Sequence, residues 1–199
     1  MSELPEVQDL FERIATCAAR AVKLKATAFR SAGVKYANED DLISGRGASY
    51  NGGRWNPAGV RAIYASLDPV TAVKEIYQEF LKYGFAVQAI RPRVMAGVKL
   101  NVNRLLDLTD VRIRKKLGFT LTELTGEDWH AIQNGGEESW TQAIGRGALL
   151  ARFEGLLAPS ARNRSGRNVV IFPDNLGSTS TVELIAKEEL PPHPSDWPT

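Results

Sequence analysis

A short apolar run that leads directly into a helix is the feature that most constrains the fold of this chain. Val60 to Ser66 has the pattern of a buried strand. Asp68 and Pro69 follow, and an aspartate before a first-turn proline is typical of a helix start. The helical spacing then continues to about Tyr83. The sequence therefore predicts a strand that enters a helix almost at once, so that both kinds of element share one fold.

Other segments predict further helices and strands. Apolar residues at three- and four-residue spacing indicate an opening amphipathic helix over Leu4–Leu24. Turn residues then indicate a long loop over Gly33–Gly53. Helical patterns also cover Asp110–Lys116 and, in two pieces, Gly126–Leu150. Strand-like patterns cover Ala26–Ser31, Phe85–Val94, Val98–Leu106, Gly155–Ala158, Val169–Phe172 and Thr179–Leu190.

The length and continuity of the chain predict a single domain. Its 199 residues match one ordinary domain, and no linker or internal repeat divides them. We expect residues 1–199 to fold as one unit. Within it, residues 1–24 are expected to form an N-terminal helical extension. Residues 191–199 are expected to form a tail, because their prolines cannot continue regular structure.

Charge and cysteine content narrow the class of protein. The chain has 25 Lys and Arg against 23 Asp and Glu, and the basic residues are scattered, so direct nucleic-acid binding is not expected. One cysteine cannot form an internal disulfide, and no apolar run reaches the roughly 18 residues that span a membrane. The acidic start, with Glu3, Glu6 and Asp9, does not resemble a signal peptide. We therefore expect a cytoplasmic protein with no membrane contact.

Residue counts and motifs exclude several kinds of catalytic site. Two histidines and one cysteine are too few for a zinc site built from these ligands. The sequence contains no G-x-x-x-x-G-K-[ST] phosphate loop, no G-x-S-x-G nucleophile elbow and no G-x-G-x-x-G dinucleotide motif. We therefore expect no metal in the site.

The stretch from Asn51 to Gly59 is dense in residues with special roles. Its glycines let the backbone approach a ligand, and Arg54 can hold a phosphate through two charged contacts. Trp55 offers a flat face that can stack on a ligand. A hairpin turn in which Trp55 fills the core is the other interpretation. Both interpretations stay open at this point.

Three polar residues downstream can meet at one end of the sheet. Tyr64 and Ser66 lie on the predicted strand, and Glu75 lies on the helix after it. The apolar neighbours of Glu75 place it near the buried face, where a carboxylate must be paired or functional. A salt bridge with an arginine and a catalytic role both fit this position.

Several ordered motifs span most of the chain, from Ala26 to Leu176. They are Phe29–Ser31, Gly53–Gly59, Ile63–Ser66, Ala72–Glu75, Ala158–Arg162 and Asn168–Pro173. In this order they resemble the RES domain, a family named for its Arg, Glu and Ser. The opening helix and the segment Leu100–Ala148 match no motif of that family.

The resemblance implies a fold and a biological role. The expected class is α+β, with an ADP-ribosyltransferase-like fold in which helices flank a mixed or antiparallel sheet. The resemblance further implies a toxin that uses NAD⁺ as its substrate. It also implies a partner, an Xre-type antitoxin that blocks the NAD⁺ pocket.

The resemblance also implies roles for individual residues. Arg30 and Arg54 are expected to bind the pyrophosphate and ribose region, and Glu75 to act at the ribose. Tyr64 is expected to stack near the nicotinamide, although Tyr36 and Tyr50 also lie in segments that can fold over the ligand. The expected catalytic residues are Glu75, Arg54 and Ser160, and the remaining expected binding residues are Trp55, Ser66 and Asn168. Without the family, Ser160 between Pro159 and Ala161 also fits a turn serine that satisfies local backbone groups.

Three functions are compatible with this site. The first is cleavage of the nicotinamide–ribose bond, with water or phosphate as the acceptor of ADP-ribose. The second is transfer of ADP-ribose to a cellular protein. The third is a non-catalytic role in which the chain acts only through its antitoxin partner.

Overall fold

Strands and short helices alternate along the chain in the computed structural model, which describes residues 6–82 and 93–196. The strands are β1 (Val22–Gly33), β2 (Ile63–Ser66), β3 (Arg93–Asp107), β4 (Gly155–Pro159), β5 (Arg167–Ile171) and β6 (Thr181–Leu184). The α-helices are α1 (Val7–Thr16), α2 (Glu39–Ile43), α3 (Arg46–Asn51), α4 (Pro69–Lys82), α5 (Val111–Leu117), α6 (Leu121–Gly126), α7 (Trp129–Asn134) and α8 (Trp140–Leu150).

The described strands form one mostly antiparallel sheet. β1 pairs with β2 on one side and with β3 on the other. β5 pairs with both β2 and β4, and β4 pairs in parallel with β3. Together with the β1–β3 pairing, these contacts join β1, β2, β5, β4 and β3 into a closed ring of paired strands. β6 adds to β3. The α+β class with a mixed, mainly antiparallel sheet and flanking helices is confirmed.

Apolar side chains pack on both faces of the sheet. On one face, Leu10 and Ile14 of α1 join Ile144 of α8 in a buried cluster. On the other face, Ile63 of β2 and Val98 of β3 belong to a second cluster. Burial of these side chains provides the main driving force for folding.

The opening helix is shorter than the sequence pattern predicts. α1 ends at Thr16, a 3-10 helix covers Cys17–Arg20, and Val22 already belongs to β1. The prediction of a helix to Leu24 was therefore wrong. Side-chain burial alternates from Val22 onward, and the pairing with β3 decides the conformation of residues whose spacing also fits a helix.

The predicted strand and helix that follow each other are both present. β2 ends at Ser66, and α4 begins at Pro69. The Asp68 carboxylate accepts a hydrogen bond from the Thr71 N–H at 2.8 Å, as expected of an N-cap. Most of the predicted strand Phe85–Val94 lies outside the described residues, and Arg93 and Val94 belong to β3.

Several predicted boundaries change. The predicted loop Gly33–Gly53 contains α2 and α3, so that prediction was wrong in part. α6 begins before the predicted helical region, whereas the break between α7 and α8 is confirmed. β6 covers only the centre of Thr179–Leu190, and a 3-10 helix, Pro194–Asp196, lies in the predicted tail. No described helix is long and apolar enough to cross a membrane.

Candidate functional site

Most of the residues that the sequence singles out line a cavity of about 370 Å³. Strand β1 contributes Arg30, β2 contributes Tyr64 and Ser66, and β5 contributes Asn168. Glu75 reaches the cavity from α4. The turn between α3 and β2 adds Arg54 and Trp55. Of the expected pocket residues, only Ser160 lies behind the cavity wall.

Glu75 is held by a hydroxyl group and an amide group. Its Oε1 atom accepts hydrogen bonds from Ser160 Oγ at 2.6 Å and from Asn168 Nδ2 at 2.7 Å. Asn168 Oδ1 in turn accepts a hydrogen bond from Ser66 Oγ at 2.8 Å. Among the described residues Glu75 forms no salt bridge with an arginine, and none donates a hydrogen bond to Oε2. The carboxylate is therefore fixed in orientation, and its Oε2 atom stays open to a ligand.

Ser160 satisfies both interpretations of its position. Its Oγ atom accepts hydrogen bonds from the backbone N–H groups of Arg162 at 3.1 Å and Asn163 at 2.9 Å, as a turn serine does. The same hydroxyl donates its own proton to Glu75. Because the two backbone groups occupy its lone pairs, the hydroxyl proton is directed towards the carboxylate.

The start of α4 is tied to the loop that carries Ser160. Thr71 is fully buried, and its hydroxyl donates to Asp68 Oδ2 at 2.6 Å and accepts from Asn163 Nδ2 at 2.7 Å. The hydrogen bond from the Thr71 hydroxyl makes the largest contribution to lowering the pKa of Asp68, and the hydrogen bond from the Thr71 N–H lowers it further. This connection fixes the position of Glu75 relative to Ser160.

Tyr64 holds the turn that carries Arg54. Gly53 and Asn56 close this turn through reciprocal backbone hydrogen bonds of 2.9 and 3.3 Å. The Tyr64 hydroxyl accepts a hydrogen bond from the Trp55 N–H at 2.9 Å and donates one to Asn56 Oδ1 at 2.7 Å. The contact of Tyr64 with nicotinamide stays a prediction, and its hydroxyl has a structural role that the sequence did not indicate.

Trp55 fills the core, as the hairpin interpretation predicts. Only 3% of the residue is exposed, and it belongs to the cluster that includes α1 and α8. Helix α8 passes so close that a Cβ atom on Gly145 would lie 1.8 Å from the Trp55 carbonyl oxygen. The residue also contributes to the cavity wall, so the turn is anchored directly beneath the site.

Arg54 is positioned by the segment that matches no family motif. Its Nη1 atom donates to the carbonyl oxygens of Leu124 at 3.0 Å and Glu127 at 3.1 Å. Burial lowers the pKa of Arg54, while the Glu127 and Glu75 carboxylates act in the opposite direction. Among the described residues Nε and Nη2 have no hydrogen-bond partner. These two groups are placed to bind an anion.

Arg30 and Arg93 form a basic pair on the cavity wall. Arg30 Nη1 donates to the Tyr64 carbonyl oxygen at 2.9 Å, and its buried Nε atom has no hydrogen-bond partner in the described chain. Arg93 donates to Ser31 Oγ at 2.9 Å and to the Ser31 carbonyl oxygen at 3.0 Å. Burial, and then the Arg93 charge, lowers the pKa of Arg30. Arg93 could not be predicted from the sequence, because no motif marks it.

The described cavity wall is strongly positive. Four arginines, Arg30, Arg54, Arg93 and Arg162, face a single carboxylate, that of Glu75. Such a wall suits a ligand with several negative charges. Within residues 6–82 and 93–196, no group of three or more His, Cys, Asp or Glu is placed to hold a metal ion.

A second depression continues from the rim of the cavity. The two share Gly52, Trp129 and His130, and the second extends to Tyr50 and Gln133. The Trp129 and His130 rings meet edge to face with centroids 5.4 Å apart. Sequence motifs gave no indication of either residue. The two depressions therefore form one continuous surface.

The family model of the RES domain matches residues 27–193 of the chain. The chain belongs to the RES domain family. It is 28% identical over 124 residues to the NAD(+) phosphorylase MbcT of Mycobacterium tuberculosis, which is 61% of this chain and 62% of that protein. It is 33% identical over 122 residues to a probable NAD(+) phosphorylase, Rv3189, of the same organism, which is 60% of this chain and 53% of that protein. The matches thus span less than two thirds of each relative.

The fold of this RES domain is shared with a solved structure. The crystal structure of the Mycobacterium tuberculosis MbcT–MbcA toxin–antitoxin complex contains a chain that superposes with a TM-score of 0.70. The superposition covers 94% of this chain and 98% of the other, at 23% sequence identity. At this coverage the likeness includes most of the segment Leu100–Ala148, which matches no family motif.

Proposed function

We propose that this chain is a toxin that cleaves the nicotinamide–ribose bond of NAD⁺ and transfers ADP-ribose to inorganic phosphate. One observation carries the proposal: the Glu75 carboxylate, fixed by Ser160 and Asn168, lies on a cavity wall that is otherwise rich in arginine. The names of the two phosphorylase relatives support NAD⁺ as the substrate and phosphate as the acceptor.

Glu75 stabilises the charge that develops during bond cleavage. When nicotinamide leaves with the bonding electron pair, positive charge builds up on the ribose C1′ and ring oxygen. A carboxylate held beside C1′ stabilises that charge without reorganising. Ser160 and Asn168 both bind Oε1, so Oε2 remains available to the ribose. Ser160 and Asn168 thus orient the carboxylate before the substrate binds.

The arginines bind the pyrophosphate. Arg30 Nε and the Nε and Nη2 atoms of Arg54 are N–H donors with no hydrogen-bond partner among the described residues. A phosphate oxygen supplies a strong, charge-assisted partner for the two Arg54 groups, and Arg30 contributes its positive charge. Arg93 adds further positive charge beside Arg30.

The shape of the surface orients the dinucleotide. Glu75 determines the position of the nicotinamide ribose, and the pyrophosphate lies across the arginines. The adenosine half then extends towards Trp129 and His130, where the second depression begins. An indole ring at that position can stack on the adenine base.

The partner of the toxin is an antitoxin of the Xre type that covers the cavity mouth. The shared fold with a toxin–antitoxin complex supports an antitoxin partner, and the family resemblance implies its type. The proposed place of action is the cytoplasm, where the NAD⁺ pool is consumed. Co-expression with the product of the neighbouring gene is expected to yield a complex that has no NAD⁺-cleaving activity.

The function is tested by following the fate of labelled NAD⁺. The purified chain is incubated with adenylate-labelled NAD⁺, inorganic phosphate and a cell extract, and the products are separated. Release of nicotinamide with formation of ADP-ribose 1″-phosphate is the expected result. A labelled protein band would indicate the transferase instead. A folded chain that releases no nicotinamide would contradict an enzymatic function and leave the non-catalytic role.

A further inference from the structure

We infer that Arg162 binds the acceptor phosphate and thereby directs ADP-ribose to phosphate rather than to water. The inference rests on the proposed cleavage of NAD⁺ and assigns one residue to the choice of acceptor. It concerns the group that reaches C1′ after nicotinamide leaves, and not the binding of NAD⁺ itself.

Arg162 lies at the cleavage end of the cavity. Its backbone N–H donates to Ser160 Oγ at 3.1 Å, and that hydroxyl contacts Glu75. Arg162 also contributes to the cavity wall, and its charge lowers the pKa of Arg54. The loop between β4 and β5 therefore places Arg162 on the same cavity wall as the carboxylate that acts at C1′.

The guanidinium of Arg162 is uncommitted within the described chain. The other three wall arginines each donate hydrogen bonds to protein groups, Arg30 to Tyr64, Arg54 to Leu124 and Glu127, and Arg93 to Ser31. The side chain of Arg162 has no hydrogen bond or ion pair with the described residues. Arg162 is also exposed, so a phosphate ion can reach it from solvent.

A cation is needed at this place for electrostatic reasons. A phosphate dianion that approaches C1′ also approaches the Glu75 carboxylate, and like charges repel strongly in a partly dry cleft. The planar guanidinium offsets this repulsion and binds two phosphate oxygens at once. Water carries no charge and needs no such cation. Loss of Arg162 therefore penalises phosphate but not water.

The transfer step balances without a further reactant. The bond between C1′ and the nicotinamide nitrogen breaks, and its electron pair neutralises the pyridinium charge. A lone pair of a phosphate oxygen forms the new C1′–O bond, and the phosphate proton stays on the phosphoryl group or passes to solvent. With water as the acceptor, a lone pair of the water oxygen forms the bond, and one proton is released.

The test compares Arg162→Ala with Arg164→Ala, which removes another exposed arginine of the same loop that does not line the cavity. Nicotinamide release and the ratio of ADP-ribose 1″-phosphate to ADP-ribose are measured over a range of inorganic phosphate at saturating NAD⁺. For Arg162→Ala we expect the KM for phosphate to rise about 10- to 100-fold, because one charged contact with phosphate is lost. ADP-ribose is then expected to become the main product. Arg164→Ala is expected to match the wild type, and Arg162→Lys to recover part of the phosphate preference.

Two results would overturn the inference while the proposed NAD⁺ cleavage stands. One is an Arg162→Ala variant whose phosphate dependence and product ratio equal those of the wild type. The other is a variant whose KM for NAD⁺ rises while its product ratio is unchanged, which would assign Arg162 to the substrate pyrophosphate. A folded wild-type chain that releases no nicotinamide would instead contradict the proposed function itself.

Discussion

The Oγ atom of Ser160 lies 2.6 Å from Oε1 of Glu75, although 85 positions separate them in the sequence. The serine hydroxyl also accepts two backbone hydrogen bonds, which leave its proton to the carboxylate. Helix α4 and the loop after β4 are thus joined at the point where chemistry is proposed. Ser160 acts through Glu75 and is a positioning residue.

Replacement of Ser160 by alanine is expected to impair turnover more than substrate binding. We predict that kcat for nicotinamide release falls about 10- to 100-fold, because one hydrogen bond to a charged group is lost. The KM for NAD⁺ is expected to stay close to the wild-type value. Ser165→Ala, in the same exposed loop, is the matched control. An unchanged kcat in Ser160→Ala would contradict the positioning role.

Trp129 is expected to bind the adenosine half of the substrate. We predict that Trp129→Ala raises the KM for NAD⁺ about tenfold, as expected for loss of one base-stacking contact. Nicotinamide mononucleotide has the same scissile bond without adenosine, so its kcat/KM is expected to be unchanged. Tyr36→Ala removes an exposed ring that lines neither depression and is the control. Equal losses with both substrates would indicate a structural role for Trp129.

Asp68 is expected to couple the stability of the fold to pH. The pKa of Asp68 is lower in the folded state than in the unfolded state. The carboxylate therefore contributes fully to the free energy of unfolding at a pH above its unfolded-state pKa. That contribution is lost as the pH falls through its folded-state pKa. We predict that Asp68→Ala lowers the free energy of unfolding by about 0.5–1 kcal/mol at pH 7, as for other helix caps. Urea unfolding is expected to show the difference shrinking as the pH falls below the usual pKa of an aspartate. A difference that does not depend on pH would contradict this account.

The N-cap of α5 allows an effect on stability to be distinguished from an effect on activity. Asp110 caps α5 through the Arg112 N–H, and neither α5 nor this cap contributes to the cavity wall. Asp110→Ala is therefore expected to weaken the fold without changing kcat. Asp68→Ala is expected to lower kcat as well, because Asp68 and Thr71 connect α4 to the Ser160 loop.

Local signals in the sequence predicted much of the site. The N-cap at Asp68 and the apolar run before it place Tyr64 and Glu75 on adjacent elements, and both line the cavity. The family motifs add Arg30 and Asn168, which the antiparallel pairing of the strands brings to the same wall. These residues are predictable because short-range patterns and ordered motifs mark them.

Residues that reach the site only through tertiary packing could not be predicted. Arg93 comes to the wall because β3 pairs with β1 along its length, opposite Gly33. Trp129 is held there because Gln133 on the same short helix donates to the Asn51 carbonyl oxygen. The end of the opening helix was misplaced for the same reason, since the pairing of Val22 with Leu105 overrides a spacing that also fits a helix.

The measurement that tests the central claim most directly is the rate of nicotinamide release from NAD⁺ by the wild-type chain and by Glu75→Gln. Glutamine keeps the size of the side chain and an oxygen that can accept from Ser160 and Asn168, but it removes the negative charge. We predict that kcat falls at least about 100-fold, as expected when a group that stabilises the transition state is lost, while the folded structure and the KM for NAD⁺ are retained. A folded Glu75→Gln variant that releases nicotinamide at the wild-type rate would contradict the assignment of Glu75 and the mechanism built on it.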